Sequence, residues 1–128
     1  MAKLLLVDDD LDVMTQYKAA LANTGHELTI AASATEARGL LKNFIPDLAV
    51  VDIMMEDGIP GFDLAREIHQ KAPDCPILMV SSLNQELKSP ADMTPDEKLP
   101  IHKFLDKPLT GKILVQEIEK ALASRKKK

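Results

Sequence analysis

Short, continuous apolar runs recur along the chain, and each is closed by polar residues. Leu4-Leu-Leu-Val7 precedes Asp8 and Asp9, Leu48-Ala-Val-Val51 precedes Asp52, and Ile77-Leu-Met-Val80 precedes Ser81. Runs of this length without alternation indicate strands covered on both faces, as in parallel sheets. Leu28 to Ala31 is a weaker run of the same kind, and Phe104-Leu105 is a short fifth candidate. Between the runs the apolar spacing becomes helical. Leu11, Met14, Ala20 and Leu21 mark one face of a first helix, which Gly25 closes. Ala37, Leu40 and Leu41 mark a second, opened by the capping box Ser33-Ala-Thr-Glu36, its end signalled by Pro46. Phe62, Ala65, Ile68 and Ala72 mark a third, and Leu114, Ile118 and Leu122 a last one with Thr110 as N-cap. Alternating strands and helices predict right-handed crossovers and a parallel α/β sheet with helices on both faces.

One stretch breaks the pattern. Between Asn84 and His102, Pro90, Pro95 and Pro100 each remove a backbone donor and restrict the preceding residue, so no long helix passes through. Thr94-Pro-Asp-Glu97 reads as a helix start, with Thr94 as cap and Glu97 closing a capping box. A mobile loop near 85–93 followed by one or two helical turns is expected.

Composition narrows the class. A chain of 128 residues, 45% apolar and 28% charged, suits one soluble domain, expected over 1–124 with a disordered basic tail at 125–128. No apolar run approaches a membrane span and the N-terminus is unlike a secretory signal, so membrane insertion is not expected and a cytoplasmic location is. A net charge of −4 argues against direct nucleic-acid binding through general electrostatic attraction. The single cysteine, Cys75, stands beside Pro76 at a strand entrance and reads as a packing residue.

In an open α/β sheet, residues just past the carboxyl ends of several strands converge along one edge. Asp8, Asp9, Asp52, Ser81 and Lys107 all hold such positions, Lys107 directly before Pro108. Like charges brought together repel unless a cation intervenes, and Mg²⁺ favours carboxylate, carbonyl, water and phosphate oxygens. A carboxylate can also form an acyl phosphate, which makes Asp52 a candidate nucleophile. Lys107 and the metal would neutralise the phosphoryl oxygens, and the Ser81 hydroxyl would hydrogen-bond one of them.

Four segments then bear a close resemblance to a known family. Leu4-Leu-Leu-Val-Asp-Asp-Asp10, Pro46-Asp-Leu-Ala-Val-Val-Asp-Ile-Met-Met55, Pro76-Ile-Leu-Met-Val-Ser-Ser82 and Phe104-Leu-Asp-Lys-Pro108 occur in the order and spacing of the CheY-like receiver domain of response regulators. The chain resembles such a domain from end to end. The resemblance implies a doubly wound, flavodoxin-like (βα)5 three-layer sandwich with a five-stranded parallel sheet of order 2-1-3-4-5. It implies a phosphorelay signalling switch, in which Asp52 takes a phosphoryl group from a phosphohistidine of a sensor histidine kinase or phosphotransfer protein. Mg²⁺, with Mn²⁺ as a substitute, would be held by Asp9 directly, by Asp8 mainly through water, by Asp52, and by the Met54 main-chain carbonyl. Lys107 would contact the phosphoryl group across a cis bond to Pro108. Ser81 and the aromatic Phe104 would form the switch, altering the face built by the fourth helix, fifth strand and fifth helix. An output partner or domain, or a homodimer, would read that face. Asp10 falls where such a domain begins its first helix and is expected to cap it.

Departures from the family mark where variation is expected. Glu56 stands where a proline is usual and Gly61 comes nine residues after Asp52 rather than eight, so the loop over the site is expected to be longer and more acidic. Ser81 to Lys107 is also a few residues longer than usual, which leaves the fourth helix short or irregular. Phe104 lacks the hydroxyl of the common tyrosine, so only packing can stabilise its inward position. The resemblance implies that Met54 and Leu83 fall at positions that tune phosphoryl lifetime in the family, and both are apolar. They are expected to hinder water attack, to be read in the decay rate of the phosphorylated protein.

Two other readings compete. Asp8-x-Asp10 also matches the nucleophile and general-acid pair of haloacid-dehalogenase-like phosphatases, although Glu117 and Glu119 are the only acids following Lys107. A pseudo-receiver that docks without phosphorylation is the other. The favoured reading makes the chain a self-modifying switch rather than an enzyme with a separate turnover substrate.

Overall fold

The structure is a computed structural model that describes residues 2–52, 61–82, 102–107 and 110–125. Five strands, β1 (Lys3–Val7), β2 (Glu27–Ala31), β3 (Leu48–Asp52), β4 (Ile77–Ser82) and β5 (Lys103–Lys107), pair in the order β2-β1-β3-β4-β5. All four pairings are parallel. The helices of the described residues are α1 (Leu11–Leu21), α2 (Ala34–Leu41), α3 (Gly61–Lys71) and α4 (Gly111–Arg125). This is the expected flavodoxin-like arrangement. The expected loop at 85–93 and the short helix behind Thr94 lie outside the described residues, so α4 here is the helix placed last in the sequence.

Strand alternation divides the interior into two layers. Leu5, Val7, Ala49, Val51, Ile77 and Met79 face α2 and α3, where Ala37, Leu41, Ala65, Ile68 and Ala72 complete a core that also holds Cys75. Leu4, Leu6, Leu48, Val50, Leu78 and Val80 face α1 and α4, packing against Met14, Leu21, Leu114, Ile118 and Leu122. Each Leu, Ile, Val or Met side chain among them, fully removed from water, contributes roughly 1.5–3 kcal/mol against the entropy of ordering the chain. Burial on both faces is why the strands read as unbroken apolar runs.

Several local expectations need correction. The buried stripe of α1 is Met14, Tyr17 and Leu21, whereas Leu11 is 71% exposed at the first position of the helix. Tyr17 was hidden in the sequence because a phenol carries mixed apolar and polar signals. Gly25 does adopt a left-handed φ of 81°, but in the turn into β2, after the C-cap Ala22. Helix α2 stops at Leu41, well before Pro46, with Lys42 and Asn43 amides bonding back to Gly39 and Leu40. Its start uses Ser33 Oγ as acceptor for the Glu36 amide, while the Glu36 carboxylate accepts from the Ala32 amide rather than that of Ser33. Thr110 caps α4 as expected, and that helix runs one residue past the boundary set at 124. Gly111 is needed where α4 meets α1, because a Cβ there would come within 2.7 Å of the Ala20 Cβ.

Candidate functional site

The carboxyl ends of the central strands create the site. Val7 is level with Val51 across β1 and β3, so the next residues, Asp8 and Asp52, come side by side. Asp52 is level with Val80 of β4, which places Ser81 one step further along the same edge. Lys107 pairs with Ser82 at the end of β5, two steps beyond the Asp52 row, and Phe104 pairs with Met79 one step before it. The register thus brings Asp8, Asp52, Ser81 and Lys107 to one end of the sheet.

Beyond β1 the chain turns sharply into α1. The Asp8 amide extends the ladder to the Ala31 carbonyl at 3.2 Å, and the Asp8 Oδ1 then accepts from the Asp10 amide at 2.9 Å. Asp10 caps α1, its Oδ1 accepting from the amides of Asp12 and Val13 at 3.0 and 3.3 Å. The expected capping role is therefore met. These bonds fix the Asp8-Asp9 turn and leave both carboxylates at the strand end.

Asp8 and Asp52 are only 2% and 8% exposed, and Asp9 is half-buried. One carboxylate oxygen from each of Asp8, Asp9 and Asp52 lies within 4.8 Å of the others. Buried carboxylates do not normally gather unless something positive offsets them. Three hard oxygen donors at this spacing fit a divalent cation such as Mg²⁺, which takes one or two carboxylates and completes its shell with water and other oxygens.

Glu117 and Glu119 do not join this group. Glu117 accepts from Lys103 Nζ at 3.1 Å, and Glu119 meets His26 Nε2 at 2.8 Å. The second acidic pair that a dehalogenase-like phosphatase requires is therefore committed elsewhere on α4.

Comparison with known proteins agrees with this geometry. A family model described as the response regulator receiver domain matches residues 4–119. The chain belongs to this family. Among curated relatives, the receiver domain described here is 30% identical over 122 residues to the transcriptional regulatory protein AfsQ1 of Streptomyces coelicolor, covering 95% of this chain and 52% of that one. It is 31% identical over 127 residues to the response regulator SaeR of Staphylococcus aureus, covering 99% and 53%. The chain thus spans about half the length of the curated relatives it matches. Among solved structures, a CheY-like response regulator receiver domain protein from Methanospirillum hungatei JF-1 superposes with a TM-score of 0.85 at 26% identity, covering 99% of this chain and 98% of that one. As a receiver domain, the chain is a phosphorylation-controlled signalling switch of a two-component system, and receiver domains bind Mg²⁺ at an acidic pocket. No helix among the described residues is long and apolar enough to cross a membrane.

Of the residues singled out in the sequence, Asp8, Asp9 and Asp52 converge, and the strand register carries Ser81 and Lys107 to the same edge, with Phe104 one row before that of Asp52. Met54, Leu83, Pro108 and the Glu56 loop lie outside the described residues. Sequence reasoning missed Tyr17. Burial first, and then the charges of Asp8, Asp52 and Asp10, push its phenol well above the usual tyrosine range. The signal was present: it is the only tyrosine, three residues from Met14 and four from Leu21 on the buried stripe.

Proposed function

We propose that Asp52 is the phosphoryl acceptor of this switch and that Asp8 and Asp9 hold the divalent cation the transfer requires. The observation that carries this reading is the convergence of the three carboxylates within 4.8 Å at the carboxyl end of β3. A carboxylate oxygen of Asp52 attacks the phosphorus of a phosphohistidine, a P–O bond forms, the P–N bond breaks, and the imidazole leaves with the electron pair. Asp9 would ligate the cation directly, Asp8 largely through water, and the Met54 carbonyl would join them. Bound there, Mg²⁺ or Mn²⁺ supplies neutralisation of the charge on the phosphoryl oxygens. Lys107 adds a second positive charge at the same edge, and the Ser81 hydroxyl donates to a phosphoryl oxygen.

The phosphate then acts by differential binding. It favours the arrangement in which Ser81 and Lys107 engage it, with Phe104 packing inward, and so alters the face that contains β5 and α4. The donor is a sensor histidine kinase or phosphotransfer protein. The reader is an output domain, a separate partner or a second copy of the chain. The domain catalyses its own modification and has no separate turnover substrate. This reading also places it in the cytoplasm, where the kinase presents its phosphohistidine.

Acetyl phosphate with Mg²⁺ provides the test. Intact mass spectrometry is expected to show one added phosphoryl group on the parent and none on Asp52→Asn. Retention of the modification in Asp52→Asn, with loss in an Asp8→Asn variant that still binds Mg²⁺, would transfer the nucleophile to Asp8. A parent protein that never gains the group would instead be a docking module.

A further inference from the structure

We infer that Tyr17 is a positioning residue of the cation site, its neutral hydroxyl forming the wall of the acidic pocket on the α1 side and orienting the carboxylate oxygens or ordered water around the ion. The inference rests on the reading of Asp8, Asp9 and Asp52 as the cation site. It begins from strand alternation. Asp8 continues the row Leu4, Leu6, and Asp52 continues the row Leu48, Val50, and these four apolar residues all belong to the layer that contains Tyr17. Tyr17 therefore packs on the same face of the sheet as the two buried carboxylates.

The direction of the side chain follows from the helix. Long side chains on an α-helix lean back toward its N-terminus, and the N-terminus of α1 is where Asp10 caps the helix and bonds to Asp8. Tyr17 is 4% exposed, with Met14 and Leu21 beside it on the same stripe. Among the described residues, no fully buried polar side-chain atom lacks a partner. The phenol oxygen is therefore not sealed away from water, and in an otherwise apolar layer the charges that act on it are those of the acidic edge. The charges of Asp8, Asp52 and Asp10 all act on this phenol.

Chemistry explains why a tyrosine suits the place. Leucine or phenylalanine would fill the stripe equally well, but only the phenol brings a donor that stays neutral beside several negative charges. Donors behind the ligands of a metal fix ligand orientation, and their loss typically weakens metal affinity on the order of tenfold or more. Tyr17→Phe keeps the ring and removes only the hydroxyl.

The experiment uses the full chain. Calorimetric titration of Tyr17→Phe with Mg²⁺ is expected to give a Kd raised on the order of tenfold, while the melting temperature in EDTA stays that of the parent. The parent supplies a second readout, because it contains one tyrosine and no tryptophan. Its tyrosine emission should change during the Mg²⁺ titration with the midpoint found by calorimetry. Parental Mg²⁺ affinity in Tyr17→Phe, or emission that stays flat through saturation, overturns the inference while leaving the cation site intact. A lowered melting temperature with unchanged affinity would reduce Tyr17 to packing and overturns it as well. A parent that shows no Mg²⁺ binding at all removes the cation site, and the role of Tyr17 with it.

Discussion

The two edges of the sheet use their acids in different ways. At the amino edge, acids face donors. The Asp47 Oδ2 accepts from the Lys3 amide at 2.8 Å while the Asp47 amide donates to the Lys3 carbonyl at 2.7 Å, which pins the start of β1 to the approach of β3. His26 Nδ1 accepts from the Ala2 amide at 3.0 Å, so its proton sits on Nε2 and is donated to Glu119 of α4. Lys103, at the start of β5, binds Glu117 on the same helix. At the carboxyl edge, oxygens of three carboxylates come within 4.8 Å of one another. The amino edge is arranged to hold the fold together. The carboxyl edge gathers three acids at a spacing that fits a divalent cation.

That contrast is sharpest under a change of divalent cation. An ion that binds only the folded state stabilises it by mass action, by about 2.7 kcal/mol at a concentration one hundred times its Kd. Thermal unfolding of the parent should therefore shift upward with Mg²⁺, and Asp52→Asn or Asp8→Asn should lose most of the shift. An equal shift in these variants would mean that the ion binds elsewhere. At the amino edge, His26→Ala removes an acceptor from the nearly buried Ala2 amide and a donor from Glu119, which should cost about 1–3 kcal/mol in urea unfolding. Mg²⁺ affinity should not change. If it fell, the two edges would be coupled and the division of labour would fail.

Legibility in the sequence follows the same division. The strands were readable because burial on both faces leaves unbroken apolar runs, and the carboxyl-edge residues because Asp8, Asp9, Asp52, Ser81 and Lys107 each end or follow such a run. The amino edge was not readable. His26 and Asp47 act through partners far along the chain, Glu119 and Lys3, and no local pattern predicts a contact 93 residues apart. Leu11 was misplaced because periodicity counts an apolar residue at a helix start as part of the face, although the first position projects beyond the sheet into solvent. Tyr17 was overlooked for the complementary reason. Its ring obeys the apolar stripe, while its hydroxyl belongs to the acidic edge.

The smallest expected effect tests that placement of Tyr17 from the folding side. A free tyrosine loses its proton near pH 10, whereas burial and the charges of Asp8, Asp52 and Asp10 hold the Tyr17 proton well beyond that point. The unfolded chain therefore releases this proton first as the solution becomes alkaline. Stability from this source is complete below about pH 10 and falls as pH rises toward the folded-state value, by at most about 1.4 kcal/mol per pH unit. Tyr17→Phe removes the titrating group, so the difference in urea-unfolding free energy between parent and variant should be flat at neutral pH and change only above about pH 10. A difference that stays flat into the alkaline range would mean that the phenol is not held in this buried, acidic setting.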